Sequence, residues 1–215
     1  MCWSATADLV AGSGIAVVGV ACVTRVRRSR DVPLAALPLL LGAHQLVESV
    51  VWESGGGSGP ATVVWAVIAL PVLAVWVPVA VWCAAPPGVR RRLLLPLAAG
   101  TVTAALLAHG LATGPVTAEP RGHTIGYTVG LSHTPVLVTG YLLATVGSLL
   151  LSGDRWLRAL GTLVAIGAPA CWALWRLEFV STWCAFAAVC SMVLLGWVRA
   201  RPTSPAAPHD PAAEP

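Results

Sequence analysis

Residues 34–52 read LAALPLLLGAHQLVESVVW, nineteen positions in which only His44 and Glu48 are ionisable. As a helix rising about 1.5 Å per residue, the run nearly matches the hydrocarbon thickness of a bilayer. An ionisable group at that depth is costly unless it faces protein, a partner or water, so His44 and Glu48 mark a site by default. They stand one turn apart, with Trp52 another turn on, and all three project from nearly one face of the helix.

The rest of the chain is built from similar runs. Of 215 residues 57% are hydrophobic and 10% charged, against about 25% charged in soluble domains. Punctuation by Gly, Pro and Arg divides the chain into seven spans: Ala7 to Thr24, Leu34 to Trp52, Ala61 to Ala84, Leu93 to Ala112, Tyr127 to Leu151, Trp156 to Leu177 and Glu178 to Val198. The expected fold is all-α, a polytopic transmembrane bundle of seven helices over residues 1–201. A Pro/Ala-rich cytoplasmic tail without apolar periodicity, expected to be disordered, follows over residues 202–215. The chain has no lysine and no asparagine, a bias that fits a GC-rich bacterial genome of actinobacterial type and places the protein in the plasma membrane of such a cell.

Arginine placement sets the expected orientation. Eleven of thirteen arginines fall between spans one and two, three and four, five and six, or after span seven. The positive-inside rule puts those segments in the cytoplasm, the amino terminus outside and the carboxyl terminus inside. Trp3, Trp52, Trp65, Trp172, Trp175 and Trp183 then fall near the outer interface and Trp82, Trp156 and Trp197 near the inner one, with Trp76 alone at mid-span. The arginines follow membrane topology instead of forming a basic domain, so nucleic acid is not an expected partner.

With this topology the polar groups share one layer. Glu48 lies roughly 6 Å below the outer boundary, His44 roughly 12 Å, and His133, Cys171 and Cys184 each roughly 9 Å, while Glu178 opens span seven at the same surface. The inner half holds no acid or histidine within a span, which argues against a relay crossing the membrane and for a pocket open to the outer face. His133 lies in Leu131-Ser132-His133-Thr134-Pro135, where the proline predicts a kink in span five. The run Ser54 to Gly59 reads as a flexible external loop. His44, Glu48, His133 and Glu178 would make a mixed N/O ligand set for a transition metal such as zinc, iron or manganese. Without metal, the Glu48 carboxyl is a candidate proton donor or acceptor, or pairs with His44 or Arg176 and pins helices together. Cys2, Cys171 and Cys184 lie on the oxidising side, where two of them could pair.

Three segments carry a resemblance. Met1-Cys2-Trp3-Ser4-Ala5-Thr6-Ala7, the run from Pro38 to Glu48 with Trp52, and Ser181-Thr182-Trp183-Cys184 resemble an uncharacterised family of bacterial multi-pass membrane proteins, a domain of unknown function. Members often carry Phe at the position of Trp3 and Gln at that of His44. The resemblance therefore implies that Glu48, with Gln45 and Trp52, is steadier than His44. It adds Trp183 and Cys184 to the candidate site, and it implies no known reaction. Seven spans with histidines are also similar to the membrane hydrolases that include alkaline ceramidases, but the His-x-x-x-His pair of their last span is missing. A retinal Schiff base is excluded by the absence of lysine.

The favoured function is an outward-facing polar pocket around Glu48 that binds a small ligand, cation or lipid head group, lined by Glu48, His44, Gln45, Trp52, His133, Glu178, Trp183 and Cys184. Two alternatives stay open: a metal-dependent membrane-embedded enzyme acting on a lipid or small apolar substrate, and a structural or partner subunit. The expected partners are the lipid bilayer and a small-molecule or lipid ligand, and the sequence does not reveal an oligomeric state.

Overall fold

A computed structural model of the protein describes residues 4–174 and 179–201, with side chains for all of these except residues 170–185. The described chain is mostly helical. Seven helices run in order: α1 (Ala5–Val23), α2 (Ser29–Glu53), α3 (Pro60–Ala84), α4 (Pro87–Thr113), α5 (Thr134–Leu151), α6 (Arg155–Leu174) and α7 (Phe179–Ala200). The first five are long and apolar enough to cross a membrane. Their outer surfaces fit that reading, for Val10, Val17, Leu95, Val102 and Val136 are each 60–69% exposed, a density of bare apolar surface that water does not tolerate.

The fold departs from an all-α reading between α4 and α5. Val116–Arg121 (β1) and Thr124–Val129 (β2) form an antiparallel hairpin in which Val116 pairs with Val129 and Arg121 with Thr124. Val and Thr occur in both strands and β2 adds Ile125, β-branched residues that suit a pleated surface. The two-residue turn places Gly122 at φ 65°, the left-handed position that a tight hairpin turn gives to glycine. Span five accordingly begins at Thr134 instead of Tyr127.

Among lipid tails, helices gain little from apolar contact alone and associate through close approach of small residues. Asp8, Gly12, Ile15, Gly19 and Cys22 form the buried stripe of α1, which packs antiparallel on α2. A Cβ at Gly12 would meet the Gln45 Cβ at 2.9 Å, and one at Gly42 would meet the Ala16 nitrogen at 2.8 Å. The start of α1 is fixed by Ser4, whose hydroxyl accepts from the Ala7 N–H at 3.2 Å.

Two helices contain a wide π-type turn, Ile68–Val72 in α3 and Leu143–Gly147 in α5. Pro71 lacks an N–H, and the Leu73 N–H reaches back to the Ile68 carbonyl. The Ala69 carbonyl is thereby free to accept from the Tyr141 hydroxyl of α5 at 2.8 Å. Mid-span Trp76 is explained in the same way, since its indole N–H donates to the Pro33 carbonyl at 3.0 Å beside the break in α2 at Ala36.

The arginine-bearing segments meet at one end. Arg201, following α7, donates to Asp31 at 3.5 Å and to the Ala84 carbonyl at 3.2 Å, and lies 3.9 Å from Asp154. The hairpin occupies the opposite end. The main apolar core, including Leu34, Val81, Leu93, Leu157, Leu194 and Trp197, lies toward the arginine end.

Candidate functional site

The site is built on α2. Gln45 and Glu48 are buried to 1% and 0% exposure, and the Gln45 amide donates to Glu48 Oε2 at 3.4 Å. The hairpin closes over them. Tyr127 of β2 donates its hydroxyl to Glu48 Oε1 at 3.3 Å and stacks flat on Trp65 of α3, with ring centroids 3.4 Å apart and planes within 3°. His44 continues the row, its ring centroid 5.0 Å from that of Trp65.

The roof is anchored by the run Ser54 to Gly59. This stretch is not a free external loop: Gly57 exchanges both backbone hydrogen bonds with Ala118 of β1, at 2.7 and 3.0 Å. The Thr62 hydroxyl donates to the Gly57 carbonyl at 3.0 Å. Glycine is required at Gly56, where φ is 81° and a side chain would run into the Ala118 carbonyl. Trp52 packs beneath the hairpin against Val51, Ala118 and Ile125, so it supports the roof.

Beside this network lies a cavity of ≈ 370 Å³ walled by α2, α3, α4, α5, α6 and α7. His44, Gln45 and Trp65 lie on its wall, with Leu41, Leu70, Leu107 and Leu137 among the apolar remainder. Glu48 does not line it. The carboxylate sits behind Gln45 and is bound to its amide, so the cavity is mainly apolar, where the sequence suggested a polar pocket around Glu48.

His133 requires a larger correction. It is exposed and caps the start of α5 in the left-handed region, with φ 58°. Pro135 therefore stands in the first turn of α5, where a missing N–H costs nothing, and does not kink a span around a buried histidine. His133 is not among the residues lining the cavity, and no group of three His, Cys, Asp or Glu able to hold a metal occurs among the described residues. Glu178 lies outside the described residues. Trp183 and Cys184 fall on α7, but their side chains, like those of Cys171 and the segment before Ser4, also lie outside them; the tail over residues 202–215 does as well.

Sequence reading passed over three residues of this region. Asp8 is fully buried, and the antiparallel pairing that sets Gly12 against Gln45 carries Asp8 one turn up, to the level of Glu48 and Ser49. Its signal was the small-residue stripe that it begins. Tyr127 and Trp65 were hidden by the missed hairpin, although alternation of Ile125, Tyr127 and Val129 with Thr124, Gly126 and Thr128 is a strand pattern.

A family described as "Family of unknown function (DUF6629)" matches residues 1–209. The chain belongs to that family. The match covers the helices, the hairpin and the polar network together. No match was found among curated proteins or solved structures.

Proposed function

We propose that this member of the unknown-function family is a plasma-membrane protein with seven spans and an external amino terminus, whose cavity beneath the hairpin holds a small, mainly apolar molecule carrying hydrogen-bonding groups. One observation carries the reading: His44 Nε2, Gln45 Oε1 and Trp65 Nε1 are buried without a hydrogen-bond partner among the described residues, and all three side chains lie on the cavity wall. Each such atom costs about 1–3 kcal/mol if left unmet. A ligand with one donor and one acceptor meets Gln45 and Trp65, and His44 serves in either role. The volume lies within the roughly 300–1,000 Å³ common for ligand pockets, and an apolar wall with a few convergent polar atoms is their usual make-up. An apolar wall is a poor host for a bare cation.

In this reading Glu48 positions Gln45 and holds the roof through Tyr127, while His44, Gln45 and Trp65 touch the ligand. The test is organic extraction of protein purified in mild detergent, followed by mass spectrometry of released small molecules. Wild type should yield a stoichiometric molecule enriched over bulk lipid, and A69F, which fills the cavity, should lower its occupancy at least tenfold with helical circular dichroism unchanged. An empty wild-type extract, or equal occupancy in the well-folded variant, would sink the proposal.

A further inference from the structure

The end opposite the hairpin holds a second, open-mouthed cavity of ≈ 390 Å³, lined by Arg155, Arg158 and Arg201 with Trp156, Trp197 and Asp154. A recess of ≈ 140 Å³ adjoins it and shares Asp154 and Arg201. Asp154 is the one acid on either wall among the described residues, and both its oxygens are engaged. Oδ1 accepts from the backbone N–H of Trp156 at 2.8 Å and of Leu157 at 3.4 Å, and Oδ2 accepts from the Trp197 indole at 3.1 Å.

The donors are in excess. Arg155 and Arg158 are exposed, and their side chains make no hydrogen bond or ion pair among the described residues. Arg201 lies 4.6 Å over the Trp197 ring and binds Asp31 and the Ala84 carbonyl through Nη2, yet its Nε is a buried donor with no acceptor among the described residues, as is the Trp156 indole nitrogen. A fourth arginine is close, for a Cβ at Gly153 would lie 2.8 Å from Arg92 Nη2. Positive-inside placement accounts for arginines at this end, but not for an open-mouthed cavity whose one carboxylate among the described residues is already bound to the scaffold.

We propose that this cavity binds the phosphate of an anionic membrane lipid. Guanidinium groups match phosphate oxygens in geometry as well as charge. The half-buried Trp156 ring suits the interface between head group and acyl chain, and basic pockets between helix ends on the cytoplasmic side are where anionic head groups bind. The inference rests on the bilayer placement proposed above and is independent of the cavity beneath the hairpin.

The test uses the full chain in neutral detergent, titrated with dioctanoyl phosphatidylglycerol while thermal unfolding is followed. A saturable rise in Tm is expected. Dioctanoyl phosphatidylcholine and inorganic phosphate should give no comparable shift at the same concentrations. The double variant R155Q/R158Q, altered only at exposed side chains, should keep the lipid-free Tm and bind phosphatidylglycerol at least roughly tenfold more weakly. The control R27Q, an exposed arginine in the loop before α2, should bind as wild type. Absence of a saturable shift, an equal loss in R27Q, or full retention in the double variant would overturn the proposal. A response to inorganic phosphate matching that to the lipid would assign the site to a soluble anion instead. None of these outcomes depends on A69F or on the extracted ligand.

Discussion

Glu48 is held within hydrogen-bond distance of Gln45 and Tyr127, and the second contact joins residues 79 positions apart in the chain. Stranding a buried acceptor costs about 1–3 kcal/mol. Tyr127→Phe keeps the ring that stacks on Trp65 but removes the hydroxyl, so it should lower stability by about 2 kcal/mol. Thermal unfolding in detergent would check this, and an unchanged Tm would show that the hydroxyl does not secure the roof. At this scale much of the site was readable. Glu48 and His44 declared themselves by charge in an apolar run, whereas Asp8 sits too near a span end to be conspicuous, and nothing in the sequence orders Tyr127 above Glu48.

Between elements, contacts are set by how closely backbones approach. Gly42 faces α1 with no room for a methyl group, since an added Cβ would come within 2.9 Å of the Gly12 carbonyl oxygen, whereas a Cβ on Gly14 would meet nothing within 4 Å. Gly42→Val should therefore destabilise the protein by about 1–3 kcal/mol through overpacking. Gly14→Ala should be neutral or stabilise by up to about 1 kcal/mol through helix propensity. Unfolding midpoints of the two variants are the measurement, and equal effects would contradict the α1–α2 packing. The hairpin escaped the span count because Tyr127 to Leu151 is apolar enough to pass as one helix. Strand alternation over six residues is a weak signal beside a long hydrophobic run, and the Gly122 turn was the stronger clue.

Across the whole molecule, three of the four arginine-bearing segments meet through Arg201, Asp31 and Asp154, and Arg92 of the fourth lies beside Gly153, as the alternate-loop pattern anticipates for helices that reverse direction. The proposed orientation makes a direct prediction for single cysteines placed in a chain whose native cysteines are replaced. A cysteine at Ser58, exposed at the hairpin end, should react in intact cells with an impermeant reagent. One at Gly88, exposed at the arginine end with open space around it, should react only after permeabilisation. The reverse pattern would invert the orientation.

What the sequence alone determined about this protein is its solvent and its rhythm. Long apolar runs cannot remain in water and must form helices whose backbone groups satisfy one another, and arginines gather where membrane insertion leaves them. Composition and spacing carry that information locally. The tertiary structure alone decided which polar groups meet: Glu48 behind Gln45 instead of on the cavity wall, Tyr127 over Trp65, His133 out at a helix end, and Arg201 drawn to Asp31 across 170 positions of chain. Those pairings depend on helix approach and on a hairpin register fixed by a two-residue turn, and distances of that kind have no local signature.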